Sequence, residues 1–265
     1  MYSSPQLAKK YLRYWIIASN GKGHGIHSPF VYDFVQNVLN DKNEYACYKK
    51  IEPVRKALLH DQSIVEVDDF GAGSAIIKKN TRAVNRIAAS SLKPRKYAQL
   101  LFRMVNYYKP QNIVELGTSF GITTAYLASG NMAANVFTLE GASAIAGIAK
   151  QNFTKLHLAN IRLLFGSFEE TLPSLFSAVK NIDFVFIDGN HRKEPTLAYF
   201  NQLISYSTTS AIFIFDDIHW SKEMEDAWEH IKHHPAVTLT IDLFFIGIVC
   251  INSNIKTRQH FVIRF

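Results

Sequence analysis

Val114-Glu-Leu-Gly-Thr-Ser-Phe-Gly121 is a short apolar run that ends in a glycine turn and passes directly into a helical pattern from Ile122. Read outward, the same strand-turn-helix rhythm recurs. Apolar runs at Asn112–Leu116, Asn135–Leu139, Ile161–Phe165, Phe184–Ile187 and Ala211–Phe215 alternate with helical stretches, as βαβ units and a parallel sheet require. Thr238–Leu243 and Gly247–Ile251 are close enough to pair as an antiparallel hairpin, and Phe261–Phe265 reads as a further edge strand. The expected fold is therefore α/β: a doubly wound, mostly parallel, Rossmann-like seven-stranded sheet with a C-terminal antiparallel hairpin, plus an N-terminal helical extension.

An open α/β sheet binds its ligands outside the carboxyl ends of the strands, so strand ends are where chemistry is expected. Gly117 and Gly121 let the first turn approach a ligand without a Cβ in the way. The second strand ends at Glu140, placed to accept hydrogen bonds from both hydroxyls of a ribose. Two cofactors suit such a turn. A dinucleotide wants G-x-G-x-x-G beneath its pyrophosphate, but Ser119 occupies the middle glycine position and Thr124 the last. A sulfonium amino acid cofactor has no phosphate, and its ammonium favours a carboxylate such as Glu115.

The later strand ends add to the pattern. Gly166-Ser-Phe-Glu-Glu-Thr-Leu-Pro173 puts Ser167 and Phe168 where an adenine would be hydrogen-bonded and covered. Phe186-Ile-Asp-Gly-Asn-His191 and Phe215-Asp-Asp-Ile-His-Trp220 place Asp188, Asp216 and Asp217 at the ends of adjacent strands. Like charges so close favour a bound cation or proton, and oxygen ligands alone favour a hard ion such as Mg²⁺. His191 is the candidate general base, since a free imidazole titrates near neutrality. His219 is similarly placed, and Trp220 reads as a cleft wall or plain packing.

With these residues in view, the stretch from about residue 95 to 251 resembles a class I S-adenosylmethionine-dependent methyltransferase of the O-methyltransferase type. It is similar to the catechol O-methyltransferase-like and cephalosporin-hydroxylase-like groups. The carrying segments are VELGTSFGITTAYLA (114–128), Glu140, GSFEETLP (166–173), FIDGNH (186–191) and FDDIHW (215–220). The resemblance implies that Glu115, Gly117, Thr118, Ser119, Gly121, Glu140, Gly141 and Asp188 hold S-adenosylmethionine, with Ser167 and Phe168 near its adenine. It also implies a metal set of Asp188, Asp216 and Asp217 and catalysis by Asp188 with His191. The chain departs from the catechol type at Asp217, where asparagine is usual, and in having no lysine base after Asp188.

The first part of the chain has a different texture. Residues 5–18, 29–40, 51–60 and 81–109 read as helices, the last broken at Pro94, so residues 1–94 are expected to form a basic helical lid and 95–265 the catalytic domain. Residues 1–110 carry 18 Lys and Arg against 8 Asp and Glu, whereas the remainder carries 11 against 14. Such asymmetry points to an anionic partner, nucleic acid or a membrane surface, or to a solubilising face. Residues 66–74 (Glu-Val-Asp-Asp-Phe-Gly-Ala-Gly-Ser) imitate a cofactor loop but lack a following strand that ends in an acid. His24 and His27, set among glycines, read as lid contacts rather than a metal site.

No segment approaches the roughly 20 continuous apolar residues of a bilayer span, and no secretory signal is apparent. Cys47 and Cys250 are too few for a disulfide framework or a zinc site, which suits a reducing cytoplasm. The expectation is methyl transfer to an oxygen of a small molecule, cation-assisted through the three aspartates, by a monomer or homodimer. Rival readings are an RNA methyltransferase using the basic N-terminal region, a nicotinamide-dependent oxidoreductase and a non-catalytic interaction module.

Overall fold

The computed structural model describes residues 1–23, 25–69 and 78–265. In chain order, α1 is Ser4–Ile17, α2 Pro29–Phe34 (continued by a π-helical turn, Val35–Leu39), α3 Ala46–His60, β1 Ile64–Asp69, β2 Lys78–Ala83, α4 Val84–Ser91 and α5 Arg95–Tyr108. The alternating region follows with β3 Asn112–Leu116, α6 Ile122–Gly130, β4 Asn135–Glu140, α7 Ser143–Lys155, β5 Ile161–Phe165, α8 Phe168–Ala178 and β6 Ile182–Ile187. It continues with α9 Lys193–Ile204, β7 Ser207–Asp216, α10 Lys222–His233, β8 Leu239–Asp242, β9 Ile246–Cys250 and β10 Gln259–Val262. The seven expected strands are β3 to β9, and the final apolar run supplies an eighth, β10.

The chain forms two compact units, one of residues 42–179 and one of residues 1–41 with 180–265. In the first, β3, β4 and β5 pair in parallel in that order. Val114 pairs with Phe137 and Glu115 with Thr138, a register that matters for the site. Helix α5 turns Tyr97, Leu100, Leu101, Met104 and Val105 inward at helical spacing and stops at Lys109, whose φ of 51° is left-handed, just before Pro110. Helices α3, α4, α5 and α6 share one core through Tyr48, Ile51, Val54, Ile87, Phe102 and Tyr126. The segment before residue 94 is not all helix: β1 and β2 form an antiparallel hairpin, with Ile64 opposite Ala83. Residues 70–77, most of the loop that imitates a cofactor turn, lie outside the described residues, as does His24. His27 is exposed.

In the second unit the strands run β10-β8-β9-β7-β6. β6 and β7 are parallel, while β9 is antiparallel to both β7 and β8, the expected hairpin. β10 runs parallel to β8. Helix α10 begins at the cap Ser221, whose hydroxyl accepts from the Met224 amide at 3.2 Å. It carries Glu223 and Glu225 in its first turn and His230, Lys232 and His233 in its last, the distribution the helix dipole favours.

Helix α1 is fastened to this unit by packing and by charge. Tyr14 and Ala18 pack with Phe244, and the Tyr14 hydroxyl donates to the Ile263 carbonyl. The Glu225 carboxylate accepts from the Tyr2 hydroxyl at 2.7 Å and from Lys10 Nζ at 2.9 Å. It also meets His219 Nδ1 at 3.1 Å, while His219 Nε2 meets Asp242 Oδ2 at 2.8 Å. Burial pulls the His219 pKa down, but the flanking Asp242 and Glu225 carboxylates outweigh it and leave the imidazole above its ordinary value. A histidine whose pKa rises on folding stabilises fully below its unfolded value, about 6.5. That contribution is lost as pH rises through the folded value. Wild-type thermal stability is accordingly expected to fall from about pH 6.5 upward more steeply than that of His219→Gln. Melting curves of the two proteins that stay parallel over this window would contradict the assignment.

Candidate functional site

The glycine turn is built on a buried carboxylate. Glu115, the fourth residue of β3, is fully buried. A carboxylate in such a place is tolerated only when it is hydrogen-bonded or paired. Thr138 Oγ1, from the register partner on β4, donates to Glu115 Oε2 at 2.6 Å, and the Thr124 hydroxyl on α6 donates to the same oxygen. Thr118 Oγ1 lies 2.6 Å from Thr138 Oγ1. One acid thus ties together β3, β4, the turn and the helix that follows. Sequence reasoning missed Thr124 and Thr138; the available signal was that Thr138 sits directly opposite Glu115 once the two strands are aligned.

The turn itself is held open by its backbone. Gly117 (φ 101°), Ser119 (φ 47°) and Gly121 (φ 78°) all lie in left-handed territory. The amides of Gly117 and Thr118 both donate to the Leu139 carbonyl, at 3.1 and 3.2 Å. Asn152 on α7 donates to the Phe120 carbonyl at 2.9 Å. Ser119 Oγ lies 2.8 Å from Ser91 Oγ, so the end of α4 touches the turn.

Glu140 closes the far side. Its Oε2 accepts from the Ser119 amide at 2.8 Å and its Oε1 from the Ala142 amide at 3.0 Å. Burial pushes the Glu140 carboxyl above the usual range, against the pull of the Ala142, Ser119 and Gly141 amides. The acid expected to grip a ribose is therefore pinned, side chain first, against the glycine turn. Ser167 has another employment: its hydroxyl caps α8 by accepting from the Glu170 amide at 3.3 Å, while the Ser167 amide donates to Glu170 Oε2 at 3.1 Å. Phe168 opens that helix and is half-buried.

In the other unit, Asp188, His191 and Asp216 converge, one ligand atom from each lying within 4.8 Å of the others. His191 Nε2 is 3.5 Å from Asp188 Oδ1, and Asp216 is buried. Asp217, read from sequence as a third carboxylate of this group, is not in it. Asp216 ends β7, whereas Asp217 has turned to a φ of 54° with its amide donating to the Phe245 carbonyl at 2.7 Å. With His191 in place of Asp217, the donor set becomes two carboxylates and an imidazole, which suits Mn²⁺, Fe²⁺ or Zn²⁺ as well as Mg²⁺. A cation holding ligands at 2.0–2.6 Å spaces them by roughly 3–5 Å, so the three side chains fit one. His219, the other candidate base, is engaged on both ring nitrogens by Glu225 and Asp242.

Residues 114–218 match a protein family described as a methyltransferase domain. Among solved structures, the chain is similar to an O-methyltransferase from Bacillus cereus in complex with SAH. The identity is 21% and the TM-score 0.57, covering 83% of this chain and 97% of that one. It is also similar to the SAH-bound methyltransferase PaMTH1 from Podospora anserina (12% identity, TM-score 0.56, covering 94% and 96%). The O-methyltransferase TomG from Streptomyces achromogenes, in complex with SAM, matches at 17% identity and TM-score 0.54 over 62% of this chain and 82% of that one. No curated protein sequence matches the chain.

The crowding behind the turn yields a direct test. A Cβ at Gly121 would lie 2.4 Å from Phe153 Cε1 and would require an alanine at φ 78°. Gly121→Ala should cost about 2 kcal/mol or more, from left-handed strain and overpacking together. Calorimetric melting should show a drop of roughly 4–8 °C. Adding Phe153→Leu should return part of the loss, and no recovery would mean that the strain is in the backbone alone.

Proposed function

We propose that the chain, a methyltransferase of the class I fold, transfers a methyl group from S-adenosylmethionine to a hydroxyl oxygen of a small molecule, in the cytoplasm. The observation that carries this reading is the Glu140 carboxylate, half-buried and set against the Ser119 amide of a turn with three left-handed residues. When bound, S-adenosylmethionine supplies a methyl already activated by its sulfonium sulfur, so the protein chiefly has to align donor and acceptor.

The residues divide the work. Glu140 retains lone pairs with which to accept from the two ribose hydroxyls. Gly117 and Gly121 keep side chains out of the approach to the turn, and Thr118 and Ser119 fix its course. Glu115 holds the turn from beneath through Thr124 and Thr138, which places its effect on the cofactor at one remove. Ser167 and Phe168 stand at the end of β5, on the side assigned to the adenine. His191 takes the acceptor's hydroxyl proton, with Asp188 Oδ1 lying 3.5 Å from its Nε2.

One observation favours a second reading of the acceptor chemistry. Because Asp188, His191 and Asp216 fit a divalent ion, they would hold Mg²⁺ or Mn²⁺, which would lower the pKa of the acceptor hydroxyl. The two readings separate experimentally. A general base gives a rate that survives chelation and is lost in His191→Gln. A cation gives a rate that is lost to chelator, restored by Mn²⁺, and unresponsive to Mn²⁺ in Asp216→Asn.

The cofactor assignment is tested by calorimetric titration of S-adenosylmethionine into the wild type and Glu140→Ala. Losing a charged acceptor should weaken binding about ten- to a hundredfold. Wild-type affinity should also decline on acidification at a higher pH than an ordinary carboxylate would dictate, since the Glu140 carboxyl is raised and only its ionised form accepts from both hydroxyls. Folded protein that takes up no S-adenosylmethionine would overturn the proposal.

A further inference from the structure

Helix α1 has two apolar sides, and among the described residues only one of them is covered. Leu7, Tyr11 and Tyr14 lie against Phe244, Phe245 and Val262. On the side turned away, Trp15 and Ile16 lie three and four residues after Leu12; the three are 44%, 68% and 60% exposed, and Ile17 on the last turn is 63% exposed. Isolated exposed leucines need no explanation, but a run of this density on one helix does.

The charge carried by the helix itself has one sign. Residues 1–32 contain no Asp or Glu, the first acid being Asp33. Lys9 and Arg13, one turn apart, form a line beside Leu12 and Ile16; both are exposed, and neither has an ion-pair partner among the described residues. Lys10, by contrast, points inward to Glu225. Arg264 stacks at 5.1 Å from the Trp15 ring centroid and donates from Nε to the Trp15 carbonyl at 2.7 Å, adding a third cation at the edge of the patch.

Aliphatic residues and a tryptophan bordered by Lys and Arg, on a helix that carries no acid, form the surface that lies in the interface of an anionic bilayer. A second copy of the chain fits this face poorly. A two-fold contact through α1 would set Lys9 and Arg13 of one copy against the same cations of the other, with no carboxylate on the helix to pair them. None of the described helices is long and apolar enough to cross a membrane, so the contact is with the surface.

We infer that the outward face of α1 docks the protein on membranes rich in anionic lipid, with Leu12, Trp15 and Ile16 inserted at headgroup depth and Lys9, Arg13 and Arg264 on the phosphates. The inference is independent of which acceptor is methylated. The test is flotation of the full chain with vesicles of phosphatidylcholine alone or with phosphatidylserine added. Wild type should float with the anionic vesicles, less so as salt rises, and little with the neutral ones. Lys9→Gln and Arg13→Gln should each lower the partition about fivefold. Leu12→Ser with Ile16→Ser should abolish it while leaving the melting temperature in place, because neither side chain is in the core. Three results would each overturn the inference: no flotation with anionic vesicles, flotation indifferent to these substitutions, or sedimentation showing a dimer that Leu12→Ser with Ile16→Ser converts to monomer.

Discussion

A carboxylate with no access to water has to be met by donors, and that requirement at Glu115 organises the unit that carries the glycine turn. Hydrogen-bond donors reach it from β4, the strand beside β3, and from α6, the helix that follows the glycine turn, so the turn cannot shift without disturbing a buried polar contact. Losing one member of such a group costs more than its net contribution to folding, because the remaining partners stay buried. Thr118 extends the same network into the turn. The left-handed residues at 117, 119 and 121 then follow as the backbone path that satisfies both the Leu139 carbonyl and the Glu140 carboxylate. Pre-organisation of this kind lowers the ordering cost that ligand binding would otherwise meet.

The strands were legible because their residues have few alternatives. Short runs of Val, Ile, Leu and Phe between turns admit no amphipathic helix, and β3 and β5 fall where the runs predicted. The glycine turn and Glu140 were legible for a different reason: both depend on local geometry at a strand end, which sequence spacing encodes directly. The hairpin β1–β2 was missed because Ile64–Asp69 alternates weakly and Lys78–Ala83 contains almost no apolar residue; its pairing, not its composition, makes it a strand. Tertiary pairing likewise hid Thr138, whose importance appears only once it is set against Glu115.

The Asp216–Asp217 pair shows how adjacency in sequence misleads. Successive residues of a strand face opposite sides, so two neighbouring aspartates cannot both aim at one point while the strand continues. Asp216 keeps the strand geometry and joins Asp188; Asp217 leaves the strand in a left-handed conformation and takes its backbone to Phe245. The vacated position is taken by an imidazole, three residues beyond Asp188. That exchange alters the chemistry available, since a nitrogen donor widens the range of cations and also offers a base. His219 meets the opposite fate: two residues beyond Asp217, it is held by two carboxylates and serves to fasten α1.

The charge asymmetry of the chain resolves into separate uses once the side chains are placed. Lys10 is an internal fastener, matched by Glu225 and Tyr2. Arg55 braces α3 through Glu52 at 3.0 Å and the Lys93 carbonyl at 2.6 Å, and the same Glu52 accepts from Tyr126 on the helix after the glycine turn. These cations are paid for by partners and carry no message about an external ligand. Lys9 and Arg13 differ because they stand beside exposed apolar side chains on a helix that carries no acid, and a protein surface gains nothing in water from that combination. A net charge of +7 is thus a poor guide by itself; the informative quantity is which cations remain after the internal pairs are assigned, and what lies next to them.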